Sequence, residues 1–301
     1  MKVLVLGSSG FLGSYLGFAL PKMGHEVSGS SRNPVAYFPA NQVKEGLDDY
    51  TEIIRSGDYQ LVINCVAVAS HEACESDPEM AETVNGKFPG LWASVAAEAG
   101  ARFVHISTDA VFDGSRAELY TESDEIAPES VYGRTKAQGE QAVRVANPDA
   151  LVLRVNFFGW SRSKKSGILD FFVNAFTHHT PITGFEDYVV SSLYVGDLAE
   201  AMMELVQRGA SGVFHAVSST PLSKYDFGLT VASTAELSAG SMVAGSLADA
   251  PGLTPRGHNL SLSTTKVEDA VGRAMPTSEA GIQRALAERE ALMDYFGVSE
   301  E

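Results

Sequence analysis

The chain begins with a short apolar run, Val3-Leu4-Val5-Leu6, that breaks directly into Gly7-Ser8-Ser9-Gly10-Phe11-Leu12-Gly13. An uninterrupted apolar run of this length is the pattern of a strand buried on both faces of a parallel sheet. The glycines are spaced G-x-x-G-x-x-G, and a helical pattern follows over 11–23. In a strand-turn-helix setting Gly7 permits the tight turn, Gly10 lets the backbone approach a pyrophosphate, and Gly13 allows close helix-strand packing. The helix start, with Ser9, Phe11 and Leu12, offers N–H donors and a partial positive charge to an anion. The competing reading is a merely flexible turn, and the position directly behind a strand weighs against it.

Strand and helix patterns then alternate. Strands are expected at 25–29, 60–65, 102–106 and 150–155, and helices at 48–55, from Asp77-Pro78 towards Gly100, and at 131–145. Asp77-Pro78 reads as an N-cap with proline at the first helical position, and Pro89 as a disturbance further on. The stretch 31–46 shows no period, with Pro34 and Pro39 breaking it. This alternation argues for an α/β fold, a Rossmann-type doubly wound parallel sheet with helices on both faces. The second half is less regular. Helices are expected at 168–176, 197–207, 223–238 and 278–296 and a strand at 212–217, while 238–262 is left unassigned. Residues 1–156 are taken as the core and 157–301 as a small C-terminal α/β substrate lobe interleaved with the last core elements.

The second strand runs into Ser30-Ser31-Arg32 without an acid. A carboxylate there would bind a ribose 2′-hydroxyl; Ser31 and Arg32 suit a 2′-phosphate, so NADP(H) is the expected cofactor. A solvated surface arginine is the alternative. Leu47 and Asp48 are placed over the adenine, and Cys65, Val66 and Ala67 at the tip of the next parallel strand, with Cys65 a small core residue rather than a reactive thiol.

Tyr132-Gly133-Arg134-Thr135-Lys136 is Tyr-x-x-x-Lys on an expected helix, so both side chains share a face. A neighbouring ammonium is expected to lower the tyrosine pKa and equip it for proton transfer to a carbonyl oxygen. Ser107-Thr108-Asp109 ends the preceding strand, on the edge where ligands sit in such sheets, and Thr108 can bond the same oxygen.

These segments together resemble the extended short-chain dehydrogenases, and within them the dTDP-4-dehydrorhamnose reductase family. The resemblance rests on Gly7 to Gly13, on Ser107-Thr108-Asp109-Ala110-Val111-Phe112-Asp113-Gly114 and on Tyr132 to Glu140. Val84-Asn85, Leu153 to Gly159, Ser192 to Ala199 and Pro255 to Lys266 also fit, so it covers nearly the whole chain. It implies a nicotinamide cofactor, Thr108, Tyr132 and Lys136 as the catalytic trio, and Asn85 and Ser107 among the cofactor-binding residues. For the substrate it implies Thr108, Asp109, Val111, Phe157 and Arg256. The chain departs from the family at 68–74, where an aromatic and a Val-Asp pair are usual, and at Asn156-Phe157-Phe158. The implied activity is NADPH-dependent reduction of a keto group, most naturally on a 4-keto sugar nucleotide. The alternatives are a sugar-nucleotide epimerase or dehydratase, and a non-catalytic NADP-binding regulatory subunit. Thr108 is followed by Asp109-Ala110, not by the Asp-Glu pair of the related dehydratases, which favours plain reduction.

A formal net charge of -16 argues against nucleic acid and anionic membranes as partners. Only two cysteines, no run of about 20 apolar residues and no signal-like start point to a cytoplasmic protein, with a homodimer as one assembly to consider. His71, Glu72, Cys74, Glu75 and Asp77 match no zinc spacing, so no metal is expected and a polar loop is the simpler reading. His105 and His215 lie inside strands and are read as core or hydrogen-bonded. Arg162, Lys164 and Lys165 form the densest basic run, either a solvated loop or a clamp for a diphosphate.

Overall fold

A computed structural model describes residues 1–32, 35–38, 40–43, 46, 49–162, 167–250, 254 and 256–298. The chain divides into two compact units.

The first unit comprises Met1–Val111, Ile126–Arg154 and Val206–Phe214. Its strands are β1 (Lys2–Leu6), β2 (Glu26–Ser31), β3 (Asn41–Val43), β4 (Leu61–Asn64), β5 (Arg102–Thr108) and β6 (Leu151–Val155), and Gly212–His215, numbered β11 in chain order, completes the sheet. The spatial order is β11-β6-β5-β4-β1-β2-β3. The pairs β2–β3, β1–β2, β1–β4 and β4–β5 are all parallel. The chain builds outward from β1 to β3 and then crosses back to place β4 on the other side of β1. That reversal leaves a crevice beyond the carboxyl ends of β1 and β4, where doubly wound sheets bind ligands. The sheet is accordingly the Rossmann-type α/β fold expected.

The helices are α1 (Phe11–Lys22), α2 (Asp49–Ser56), α3 (His71–Ser76), α4 (Pro78–Ala81), α5 (Phe88–Glu98) and α6 (Val131–Ala146), with a π-helical turn, Glu82–Lys87, between α4 and α5. Leu4, Leu6, Val62, Phe103 and Val152 from alternate strand positions pack against Tyr50, Ile53 and Ile54 of α2 and Trp92, Ala93 and Ala96 of α5. Each such side chain contributes roughly 1.5–3 kcal/mol on burial. Asp77 caps α4, accepting from Met80 N at 3.0 Å, as its position before Pro78 predicts. The disturbance expected at Pro89 falls just before it, as the π turn, because proline is accommodated in the first turn of α5. The segment 31–46 does contain a strand, β3, too short to show a period.

The second unit comprises Phe112–Glu125, Val155–Leu205 and His215–Glu301. It holds three small sheets. β7 (Phe157–Phe158) pairs with β10 (Leu193–Tyr194), β8 (Ile182–Phe185) with β13 (Met242–Gly245), and β9 (Val189–Val190) with both β12 (Leu222–Ser223) and β14 (Asn259–Leu260). Its helices are α7 (Ile168–Thr177), α8 (Val195–Gln207, whose last residues fall in the first unit), α9 (Lys224–Thr234), α10 (Thr265–Val271) and α11 (Ser278–Phe296). α11 matches its expected bounds because it is well signed: Thr277 accepts from Ala280 N at its start, and Gly297, at φ 66°, ends it. Among the described residues no helix is long and apolar enough to cross a membrane.

Candidate active site

The glycine turn is shaped by close approach. Gly7 has φ +82°, and a Cβ on it would stand 3.1 Å from the backbone of Cys65 and Val66, so the turns after β1 and β4 abut at the crevice. A Cβ on Gly13 would lie 2.2 Å from the carbonyl oxygen of Gly7, which only a glycine avoids. Gly7 N and Ser8 N donate to Ser30 O at 2.8 and 3.1 Å, tying the turn to the end of β2. Gly10 is the N-cap of α1, with no side-chain cap and no acid in the first turn. Ser9 and Gly10 are exposed, Phe11 is half-buried and Leu12 buried. A helix start that is uncapped by its own side chains and fronted by exposed glycine fits a dinucleotide phosphate. Arg32 stands exposed just past β2 beside the buried Ser31. Leu47 and Asp48 lie outside the described residues.

The loop after β4 is held by Asn85. Its Oδ1 accepts from Val68 N at 2.9 Å, and its Nδ2 donates to Val68 O at 3.1 Å and to Thr135 Oγ1 at 3.2 Å. Asn85 is wholly buried. Expected as a cofactor contact, it has its amide bonded inside the protein, where it braces this loop. Cys65 and Val66 are half-buried and Ala67 is exposed. Desolvation pushes the Cys65 thiol up to about 12, consistent with an inert residue.

Tyr132 and Lys136 project from α6, which Ser130 caps by accepting from Gly133 N at 3.1 Å. Thr108 at the end of β5 is hydrogen-bonded to the Tyr132 hydroxyl. Its own hydroxyl donates to Asp109 Oδ1 at 2.9 Å and accepts from Ala110 N at 3.2 Å. The tyrosine pKa is not lowered as expected: burial pushes the phenol upward, Thr108 opposes the rise, and the carboxylate of Asp109 adds to it. Lys136 Nζ is engaged elsewhere, donating to Ile106 O at 2.6 Å, and desolvation lowers its pKa to about 8. Ser107 donates to Glu140 Oε1 at 2.6 Å, and Glu140 is paired with Arg154 of β6. Val111 is wholly buried just beyond this strand end.

The segment at 68–77, expected to be a polar loop, contains α3, capped by Ser70, which accepts from Ala73 N. Only Cys74 of α3 is buried, so no apolar stripe marks the helix in the sequence. The His71 ring lies 4.8 Å from that of Tyr132, and Glu75 accepts from Val131 N at 2.8 Å. Phe157 and Arg256 belong to the second unit, Phe157 half-buried in β7 and Arg256 donating through Nε to Thr254 O at 3.1 Å. Arg162 is exposed, while Lys164 and Lys165 lie outside the described residues. His105 is buried and hydrogen-bonded as expected, while the roles of Asn64, Glu140 and Arg154 depend on partners that lie on other elements, and only their burial in strand and helix patterns could point to them.

A glycine turn at the strand-order reversal, with Thr108 and a Tyr-x-x-x-Lys helix beside the same sheet edge, is the arrangement of the extended short-chain dehydrogenases and reductases. The family described as RmlD substrate binding domain matches residues 1–291. A probable low-salt glycan biosynthesis reductase of Haloferax volcanii is 35% identical over 285 residues, covering 93% of this chain and 95% of the relative. The dTDP-4-dehydrorhamnose reductase of Mycobacterium tuberculosis is 34% identical over 234 residues, covering 74% of this chain and 72% of the relative. A solved dTDP-4-dehydrorhamnose reductase from Clostridium acetobutylicum superposes with a TM-score of 0.85 at 24% identity, over 96% of this chain and 100% of the other. One from Bacillus anthracis in complex with NADP gives 0.84 at 22% identity, over 95% of this chain and 98% of the other. The chain belongs to the RmlD substrate-binding domain family, the dTDP-4-dehydrorhamnose reductase-like branch of the extended short-chain dehydrogenases and reductases.

Proposed function

We propose that this chain is an NADPH-dependent reductase of a keto group, with a 4-keto sugar nucleotide as substrate and Tyr132 as proton donor. The observation that carries the reading is the placement of Tyr132 and Lys136 on one helix pressed against the end of β5, so close that a Cβ on Gly133 would stand 2.1 Å from Ala110 O, two residues past Thr108. Bound NADPH supplies the hydride. A phenol held neutral is the form needed to give a proton to the carbonyl oxygen as negative charge develops there. Thr108 would orient that oxygen by turning its hydroxyl from Asp109 to the substrate. Lys136 is close to balance between ammonium and amine at mildly alkaline pH, and from the same helix it would hold the nicotinamide ribose. Gly7, Ser9, Gly10, Phe11, Leu12 and Gly13 take the pyrophosphate, Ser31 and Arg32 the 2′-phosphate. Cys65, Val66 and Ala67 flank the cofactor, with Leu47 and Asp48 at the adenine, and Asn85 and Ser107 support from behind. Asp109, Val111, Phe157 and Arg256 serve the substrate.

The two named relatives act as reductases by their descriptions, and one is named for dTDP-4-dehydrorhamnose. The cofactor would lie on the first unit, in a cytoplasmic enzyme that assembles as a homodimer. Asp109 is buried and followed by Ala110 and not by a second acid, which suits reduction better than the two-step proton shuffling of an epimerase or dehydratase. The test is NADPH consumption in deuterated water against a panel of 4-keto sugar nucleotides. One NADPH per product, with no enzyme-dependent deuterium on the neighbouring carbons, supports the reading. Product without net NADPH use, or deuterium at those carbons, overturns it.

A further inference from the structure

Behind the catalytic helix the first unit carries a buried polar chain that the proposed mechanism does not use. The β4–β5 register sets Asn64 directly opposite His105, and both are wholly buried. Val66 N donates to Asn64 Oδ1 at 3.0 Å. A main-chain N–H must be met by an oxygen, so the amide nitrogen of Asn64 is the atom 3.1 Å from His105 Nδ1. That nitrogen is a donor, so Nδ1 accepts, and a neutral imidazole then carries its proton on Nε2. The ring is neutral, since burial and the nearby Lys136 charge push its pKa well below the ordinary histidine value. Nε2 faces Lys136 Nζ at 3.5 Å. The helix comes this close because Gly139 has no side chain: a Cβ there would stand 2.1 Å from Asn85 O and 3.5 Å from His105 Nε2.

We propose that His105 is a positioning residue for Lys136, its tautomer fixed by Asn64 so that Nε2–H confronts the lysine nitrogen and favours the free amine. An N–H dipole aimed at an ammonium is repelled, whereas aimed at an amine lone pair it is a hydrogen bond. The carbonyl of Ile106 pulls the other way, accepting from Lys136 at 2.6 Å. Other groups act on the same nitrogen: Glu140 one turn along α6, Cys65 beyond β4 and Cys74 on α3. Glu140 is neutralised by Arg154, and burial holds both thiols protonated. Burial is what chiefly disfavours the ammonium; His105 opposes Ile106 without adding a charge, and together they trim the balance between the two forms of Lys136. Its effect on turnover rests on the reading that Lys136 works beside Tyr132; its effect on the lysine does not.

The experiment separates the two. In 15N-labelled protein, long-range proton–nitrogen correlation should show His105 as the Nε2–H tautomer from pH 6 to 9. The Lys136 side-chain titration should move up by about one unit in His105→Phe, which keeps the ring and removes the donor, and return towards wild type in His105→Gln, whose amide restores one. In an active enzyme the alkaline limb of kcat should follow the same shift while KM for the keto substrate stays put. An Nδ1–H tautomer, or a Lys136 titration unmoved in the variants, overturns the proposal. If His105→Phe does not fold, the wild-type tautomer and the His105→Gln titration decide. A wild type that reduces no keto sugar nucleotide would sink the proposed function and leave these spectra to judge His105 alone.

Discussion

Glu140 and Arg154, each with a side chain only 2% exposed, close a two-pronged ion pair, with Nη2 2.8 Å from Oε2 and Nε 3.0 Å from Oε1. The pair joins α6 to β6, and the same carboxylate takes the hydroxyl of Ser107 at the end of β5. One acidic side chain thus fixes α6, with Tyr132 and Lys136, against the strand end that carries Thr108.

Removing one partner strands the other charge in the interior. Arg154→Ala should lower unfolding stability by about 3–5 kcal/mol, read from urea melts. An Arg154→Ala variant within 1 kcal/mol of wild type (about the level of an exposed pair) would show that water reaches the carboxylate.

Tyr132→Phe removes the hydroxyl and little else. Turnover should fall by roughly 10²–10⁴, while NADPH affinity, measured by fluorescence titration, stays within about twofold because the phenol makes no charge-assisted contact that would cost more. Undiminished turnover would move proton delivery to another group.

Arg32 has no acid beside it at the end of β2. Arg32→Ala should weaken NADPH about ten- to a hundredfold, the worth of a charge-assisted contact of ~1.5–3 kcal/mol, and leave NADH unchanged. Calorimetric titration of both cofactors checks this, and equal losses for the two would assign Arg32 to the surface.

Lys136 gives a pH signature of stability. Its folded pKa, about 8, lies below the ordinary lysine value of 10.5. Below pH 8 both states hold the proton, and the folded state bears the cost of a buried charge. Between pH 8 and 10.5 the unfolded chain binds more protons, so stability rises with pH, by up to about 1.4 kcal/mol per unit. Wild type should therefore gain on Lys136→Met as pH climbs from 8 to 10, in parallel denaturant melts. A flat difference would mean an ordinary lysine.

The parts of the molecule legible in the sequence are those whose signals are local. β1 and the glycine turn, α6 with Tyr132 and Lys136, and α11 between Thr277 and Gly297 carry their own run, spacing or caps. The two-residue strands β7, β9, β10, β12 and β14 are shorter than any period, and α3 buries only Cys74. Reading Tyr132 as acidified by Lys136 failed for a tertiary reason: the Ile106 carbonyl takes the ammonium, and burial governs the phenol. His105 could be read as buried and bonded, but its pairing with Asn64 depends on strand register, which only the assembled sheet supplies.

Asn85 clasps Val68 by both its N–H and its carbonyl from 17 residues downstream. The route of the chain leaving β4 is thus dictated from a distant helical turn and owes little to the side chains that travel along it. Such a division of labour leaves positions 69 and 71 open to revision while 68, 85 and the cap at Ser70 hold the shape. A library built to retarget the enzyme should diversify Ala69 and His71 and spare Ser70 and Asn85, because variety at His71 changes what faces Tyr132 at little cost to the scaffold.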